Sequence, residues 1–331
     1  MTPKEVKFIL PVEQDKPDDF LILSSSWEER CLGVAERLKF YSSNKILINV
    51  YDNPTPKKEE IYKELKKMLI HKGEIQAVNS KQSNPLDGIK RMLYHIKTNF
   101  KNGIPKISFD ISCFTRKHLL QLLNCLECNG LLGNTNFYYS QPTDYYSENN
   151  SSNAEGISSI SVTETFSGEN LSSRDTALII FLNFEGRRAL ALWQELQPNV
   201  AMPIIPFPSI KAEWGDRVEN QNRLLLSTLN LNWEDLEKSS PLDPDFTKEL
   251  LLKLTSLKLE ENKILKHSNY NFIIAPLGTK PQVLGVFKYW RIFPDKVSIV
   301  YPSPIKYKDI PESFPTEKTW LIDKSINWEI N

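Results

Sequence analysis

Short apolar runs alternate with stretches of helical spacing along most of the chain. In the first half the runs fall at residues 20–23, 45–51, 75–78, 106–111 and 136–139. Between them, residues 27–40, 57–70, 85–100 and 117–128 repeat apolar positions every three or four residues, and Asn84-Pro85 supplies a start signal for the third of these stretches. The runs are too short for buried helices, so they read as strands. Regular alternation of strand and helix requires crossover connections, which predicts a mostly parallel sheet with helices on both faces. The second half restarts the pattern with an apolar run at 178–182, a proline-interrupted and hence edge-like strand at 202–208, helices at about 216–229 and 245–257, and strand-like runs at 271–275, 296–301 and 319–322. The expected fold class is α/β, with two tandem domains.

The two halves also share landmarks. An apolar run leads into Trp27-Glu28-Glu29-Arg30 in the first half and into Phe184-Glu185-Gly186-Arg187 in the second, and a helical stretch follows each. Further on, Asp110-Ile-Ser112-Cys-Phe-Thr115-Arg116 and Ala275-Pro-Leu-Gly278-Thr279-Lys280 each close a strand-like run with a threonine and a cation. Aromatic and threonine lie 88 positions apart in the first half (27 and 115) and 95 in the second (184 and 279). Such near-equal spacing predicts a pseudo-duplicated architecture: residues 1–145 as the first domain, 146–175 as a Ser- and Asn-rich connection or hairpin, and 176–331 as the second domain.

Composition agrees with two domains, because 331 residues exceed the usual size of a single core. The 41 Lys and Arg balance the 41 Asp and Glu, so no overall field attracts duplex DNA, RNA or an anionic membrane, and an anionic ligand needs a local basic site. The first residues lack the pattern of a secretory signal, and no apolar stretch approaches the roughly 20 residues of a membrane span. Four cysteines in so long a chain fit a reducing compartment, and a cytoplasmic location is expected. Cys125-x-x-Cys128 has the spacing of redox and zinc motifs, but it sits in an apolar helical stretch without a second Cys or His pair, so the two thiols read as buried.

In open parallel sheets, ligands bind beyond the carboxyl ends of the strands, where loops enter helix N-termini. All four landmarks occupy such positions. A helix N-terminus with a cation in its first turn suits phosphate. The candidate ligand contacts are therefore Ser25, Ser26, Glu28, Arg30, Asp110, Ser112, Thr115, Arg116, Asn183, Glu185, Arg187, Gly278, Thr279 and Lys280. A structural reading stands beside each: the glutamates as ion-pair partners near a helix dipole, Asp110 as a turn or capping residue, Trp27 and Phe184 as core. No Walker loop occurs, and the turn after the first strand contains no glycine for dinucleotide binding, so neither cofactor nor metal is expected. A Cys113, His118 and Asp110 set within one helix start lacks the usual geometry of nucleophilic catalysis.

The segment from Asp110 to Arg116 resembles the Asp-Ile-Thr-Gly-Gly-Thr-Lys type motif of CRISPR-associated Rossmann-fold (CARF) sensor domains, and the segment from Ala275 to Lys280 is similar to a variant of it. Two such domains in one chain resemble the SAVED family, in which a joined CARF pair reads cyclic oligonucleotides in antiphage defence. The resemblance implies two Rossmann-like domains and a cyclic oligonucleotide or other nucleotide ligand. It places that ligand in a cleft between the halves, with Arg30, Arg116, Arg187 and Lys280 facing phosphates. It also implies a separately encoded effector, since no residues remain here for one. Cys113 and Phe114 stand where the family motif has two glycines, which removes a close backbone approach. Two other readings are an adaptor subunit, whose tyrosine-rich 138–146 region contacts a partner, and a ring-nuclease-like phosphodiesterase.

Overall fold

The computed structural model describes residues 18–37, 43–100, 103–145, 154–155, 157–256, 269–307 and 316–322. The expected helix end at 38–40, most of the Ser- and Asn-rich connection at 146–153, and residue 257 lie outside these. The chain forms two α/β units, each built on a six-stranded, mostly parallel sheet.

In the first unit, β1 (Asp18–Ser25), β2 (Ser43–Tyr51), β3 (Glu74–Ser80), β4 (Ile107–Asp110) and β5 (Thr135–Pro142) run parallel, and the last strand, β14 (Thr316–Ile322), pairs antiparallel with β5. Their order is β14-β5-β4-β1-β2-β3. A 3-10 turn (Glu29–Leu32) leads into α1 (Gly33–Arg37), followed by α2 (Pro56–Leu69), α3 (Leu86–Asn99) and α4 (Arg116–Cys128). A short strand β6 (Ala154–Glu155) and β7 (Ser159–Val162) come next. The second unit then forms β8 (Asp175–Phe181), α5 (Gly186–Leu196), β9 (Val200–Pro206), α6 (Ala212–Thr228), β10 (Glu237–Ser239), α7 (Pro244–Ser256), β11 (Tyr270–Ala275), α8 (Lys280–Ile292), β12 (Val297–Ser303) and β13 (Lys306–Tyr307).

The second sheet has the order β10-β9-β8-β11-β12-β7, with β7 antiparallel to β12. Position for position this is the first sheet again: β8 stands where β1 stands, β9 for β2, β10 for β3, β11 for β4, β12 for β5. Both orders are the 3-2-1-4-5 arrangement of Rossmann-like sheets. Right-handed crossovers then put the helices of the first two connections on one face and the next two on the other. The cores agree. Leu21, Leu23, Ile46 and Ile48 pack under α1 and α2 with Ile61, Leu65 and Leu69, and Leu178, Ile180 and Leu182 pack under α5 and α6 with Leu192, Val218 and Leu225.

The antiparallel edge strand is where the chain departs from the expected limits of 1–145, 146–175 and 176–331. One compact unit contains β1–β5 together with β14, the other β6–β13. Thus β7, expected in the connection, closes the second sheet, and β14, expected in the second domain, closes the first. Each covers the otherwise open edge of a fifth strand, satisfying backbone groups that would template foreign pairing. The two crossing segments also pair with each other, as β6 with β13.

Three further elements differ from expectation. The proline-bearing β9 lies inside its sheet between β8 and β10, with Pro203 opposite Ile180 of β8 and Pro206 opposite Ser239 of β10. β10 itself, Glu-Lys-Ser, carries no apolar signal. α8 escaped the periodicity reading because Pro281 through Trp290 are all buried, leaving no polar face to create a period. Among the described residues no helix is long and apolar enough to cross a membrane, and no group of three His, Cys, Asp or Glu is placed to hold a metal ion.

Gly186, the first residue of α5, has a packing reason. A Cβ built there would lie 1.8 Å from the backbone oxygen of Gln221 in α6. Gly186→Ala is expected to destabilise the chain by about 2 kcal/mol in spite of alanine's better helix propensity, because backbone cannot rotate aside as a side chain can. Urea denaturation reads the change, and an unchanged midpoint would show that α6 yields without cost.

Candidate functional site

The strand order reverses between β1 and β4, so the connections leaving these neighbours go to opposite faces, and their carboxyl ends are where open sheets of this kind usually hold a ligand crevice. In the first unit those ends carry Ser24, Ser25, Ser26, Glu28 and Arg30 from one strand and Asp110, Ser112, Thr115 and Arg116 from the other. The parallel register of Phe20, Leu21 and Ile22 with Ile107, Ser108 and Phe109 brings the two loops side by side. Every first-half candidate therefore lies at one end of one sheet.

The loops are built from buried polar groups. Asp110, 1% exposed, accepts hydrogen bonds at Oδ1 from the Ser112 amide (2.9 Å) and from the Ser112 hydroxyl. That hydroxyl oxygen in turn accepts from the Ser140 amide at 2.7 Å, and the Ser140 hydroxyl lies 3.2 Å from that of Thr319 in β14. Burial pushes the Asp110 carboxyl up to about 7, against the opposing effect of the Ser112 bonds and of the Arg30 charge. Arg30 Nε lies 3.4 Å from Oε2 of the buried Glu28. Burial works against the Arg30 charge, but Glu28, with Tyr145, Cys113 and Tyr139 around it, holds its pKa above the ordinary value. Arg30 is thus matched to a carboxylate within its own loop.

A second polar chain supports the start of α4. The Ser24 hydroxyl accepts from Asn49 Nδ2 at 3.0 Å; Tyr51 accepts from the Thr115 amide at 3.0 Å and lies 3.2 Å from His118 Nδ1. Thr115 caps α4 by accepting from the His118 amide. His118 is fully buried in this chain of bonds, which gives it a positioning role beside Cys113 and Asp110. Arg116 is the first residue of α4 and half-buried.

The second unit uses the equivalent positions on itself. The carbonyl of Asn183 accepts from Asn222 Nδ2 (2.8 Å). Glu185 is engaged by Arg188, whose Nη1 lies 2.8 Å from both carboxylate oxygens, whose Nη2 donates to the Pro302 carbonyl, and whose guanidinium stacks 4.8 Å from the Tyr301 ring centre. Arg187, the residue matched to Arg30 by sequence, is exposed. The shift has a physical reason. α5 begins directly at Gly186 instead of after a 3-10 turn, so helical geometry pairs Glu185 with the residue three positions on, and Arg187 points away. Thr279 caps α8 in a capping box with Gln282, and its hydroxyl donates to the Pro241 carbonyl (2.5 Å). A Cβ on Gly278 would lie 2.1 Å from Gln282 Oε1, so a larger residue there would push that side chain out of the capping box. Lys280 opens α8 and is half-buried.

The aromatic landmarks match across the units. Lys58 of α2 lies 5.3 Å over the Trp27 ring, and Arg217 of α6, the equivalent helix, lies 4.8 Å over Phe184. The repeated aromatic is the seat of a cation from the next helix but one. Residues that the sequence did not single out are Arg188, Asn49 and Tyr51; the only signal for Arg188 was the doubled arginine. Tyr138 and Tyr139 are buried in β5 against β14, so they offer no partner surface. Cys125 is half-buried and Cys128 exposed, contrary to their reading as buried thiols, because the helix turns Cys128 to its polar side.

No family model and no curated protein matches the chain. Among solved structures, the crystal structure of the cytoplasmic domain of a prokaryotic cation chloride cotransporter is similar over 89% of this chain and 99% of that one, at 7% identity and a TM-score of 0.28.

Proposed function

We propose that the chain is a ligand-sensing regulatory protein whose first unit binds a nucleotide-derived anion at the carboxyl ends of β1 and β4. The observation that carries this reading is the meeting of the two loops at the point where the strand order reverses. There Ser25, Ser26 and Arg30 stand beside Ser112, Thr115 and the amino end of the thirteen-residue α4. The roles divide by charge. Glu28 already balances Arg30, and Asp110 binds its own loop, so these three shape the crevice. The proposed phosphate contacts are Arg116 and the first amides of α4, where the helix dipole adds to the side-chain charge. In the second unit Asn183, Glu185 and Thr279 are bound by that unit's own residues and serve as framework. The resemblance to CARF and SAVED proteins supplies the ligand class to try first, cyclic oligonucleotides, together with a separately encoded effector in a defence system as partner.

Calorimetric titration with cyclic and linear oligonucleotides tests the proposal. At least one is expected to bind, with affinity lowered about tenfold or more by Arg116→Ala, the loss of one charge-assisted contact to phosphate, and unchanged by Lys280→Ala. No heat from any member of the panel would overturn the reading. Equal losses from the two variants would overturn its placement in the first unit.

A further inference from the structure

The mechanism of ligand binding leaves two thiols at the same crevice without a role. Cys31 belongs to the turn that follows β1, its amide donating to the Glu28 carbonyl at 3.1 Å; Cys113 belongs to the loop that follows β4, beside the Asp110–Ser112 turn. The sequence separates them by 82 positions (31 and 113), yet Cys113 packs against the core cluster that contains Cys31 and is among the groups that bear on the Cys31 thiol. Both are free thiols, Cys31 buried and Cys113 half-exposed.

We propose that Cys31 and Cys113 form a redox modification site, closing into a reversible disulfide when the protein meets a peroxide. Accessibility sets the order of events. Burial pushes the Cys31 thiol up, which keeps it protonated, while the partly exposed Cys113 is the sulfur an oxidant reaches. The Cys113 thiolate attacks one oxygen of hydrogen peroxide, the O–O bond breaks, and the departing hydroxide takes up a proton as water, leaving a sulfenic acid. The Cys31 sulfur then attacks the Cys113 sulfur, the S–O bond breaks, and a second water leaves with the Cys31 proton. Two thiols and one peroxide give one disulfide and two waters.

The product ties the turn after β1 to the loop after β4 across the crevice. Nothing in this step needs a nucleotide, so it stands or falls separately from the proposed ligand. Reducing conditions return the two thiols, as expected of a sensor disulfide in a compartment where structural disulfides are rare.

Trypsin isolates both cysteines. Cleavage after Arg30 and Arg37 releases Cys31–Arg37, and cleavage after Lys106 and Arg116 releases Ile107–Arg116, so the disulfide predicts one linked peptide pair. The full chain is treated with graded hydrogen peroxide, denatured and blocked with an alkylating agent, digested without reductant and analysed by mass spectrometry. The linked pair is expected to appear at low doses, to vanish on reduction, and to be absent from Cys113→Ser. The Cys31→Ala variant is expected instead to leave Cys113 as a trapped sulfenic acid, readable with a dimedone probe. Two results would overturn the proposal: both cysteines still fully alkylated at a dose that oxidises exposed Cys128, or Cys113 carried on to sulfinic acid without any linked peptide.

Discussion

Arg188→Ala is expected to destabilise the protein by about 3 kcal/mol, because it removes one partner of an ion pair largely shielded from water. The Arg188 side chain is 3% exposed and the Glu185 side chain 19%, so the remaining carboxylate recovers only part of its hydration. The same change leaves the Pro302 carbonyl without its donor and the Tyr301 ring without its stacked guanidinium. Arg187→Ala, one residue away, is expected to shift stability by less than about 0.5 kcal/mol, as exposed positions usually do. Urea denaturation of the two variants side by side checks the contrast. Equal effects would mean that Glu185 is served by either arginine, and the placement of the repeated ion pair would be wrong.

Asp110→Asn is expected to flatten the pH dependence of stability. Asp110 titrates near 7 in the folded chain against 3.8 for an ordinary carboxyl, so the native state holds its proton more tightly than the unfolded state does. Its contribution is therefore fully present below about pH 4 and is lost as pH rises through about 7, the reverse of a salt-bridged carboxylate. The full swing is on the order of 4 kcal/mol, from roughly three pKa units at about 1.4 kcal/mol each. Asparagine keeps an oxygen to accept the two Ser112 bonds and carries no charge. The variant is thus expected to match the wild type near pH 4 and to exceed it by about 4 kcal/mol at pH 8. Denaturation series at pH 4, 6 and 8 decide the matter, and parallel profiles would show that Asp110 stays ionised throughout.

The two arginine positions show how far local sequence carries a site. The repeat of aromatic, glutamate and arginine correctly marks equivalent places in two sheets, since Trp27 and Phe184 each seat a cation from the corresponding helix. Which arginine meets the glutamate depends on whether a 3-10 turn or an α-helix begins at that point, a difference of one residue that spacing alone does not reveal. Thr115 and Thr279, read from the sequence as ligand contacts, cap their helices: each bonds an amide three residues on. The Cys31 and Cys113 pair was invisible, as the thiols meet only through the pairing of β1 with β4.

What the sequence alone determined is the α/β class and the duplication, because both are written in the period of apolar positions and in residues that act on their neighbours. The ends of the two units were decided by tertiary structure. β7 and β14 look like any short strand, and nothing within them says which sheet they join; that choice follows from the open edges of β12 and β5, whose unpaired backbone groups need a partner. The buried charges of the crevice have the same origin. Asp110 and Glu28 are ordinary acidic residues until folding removes their water and sets them against Ser112 and Arg30.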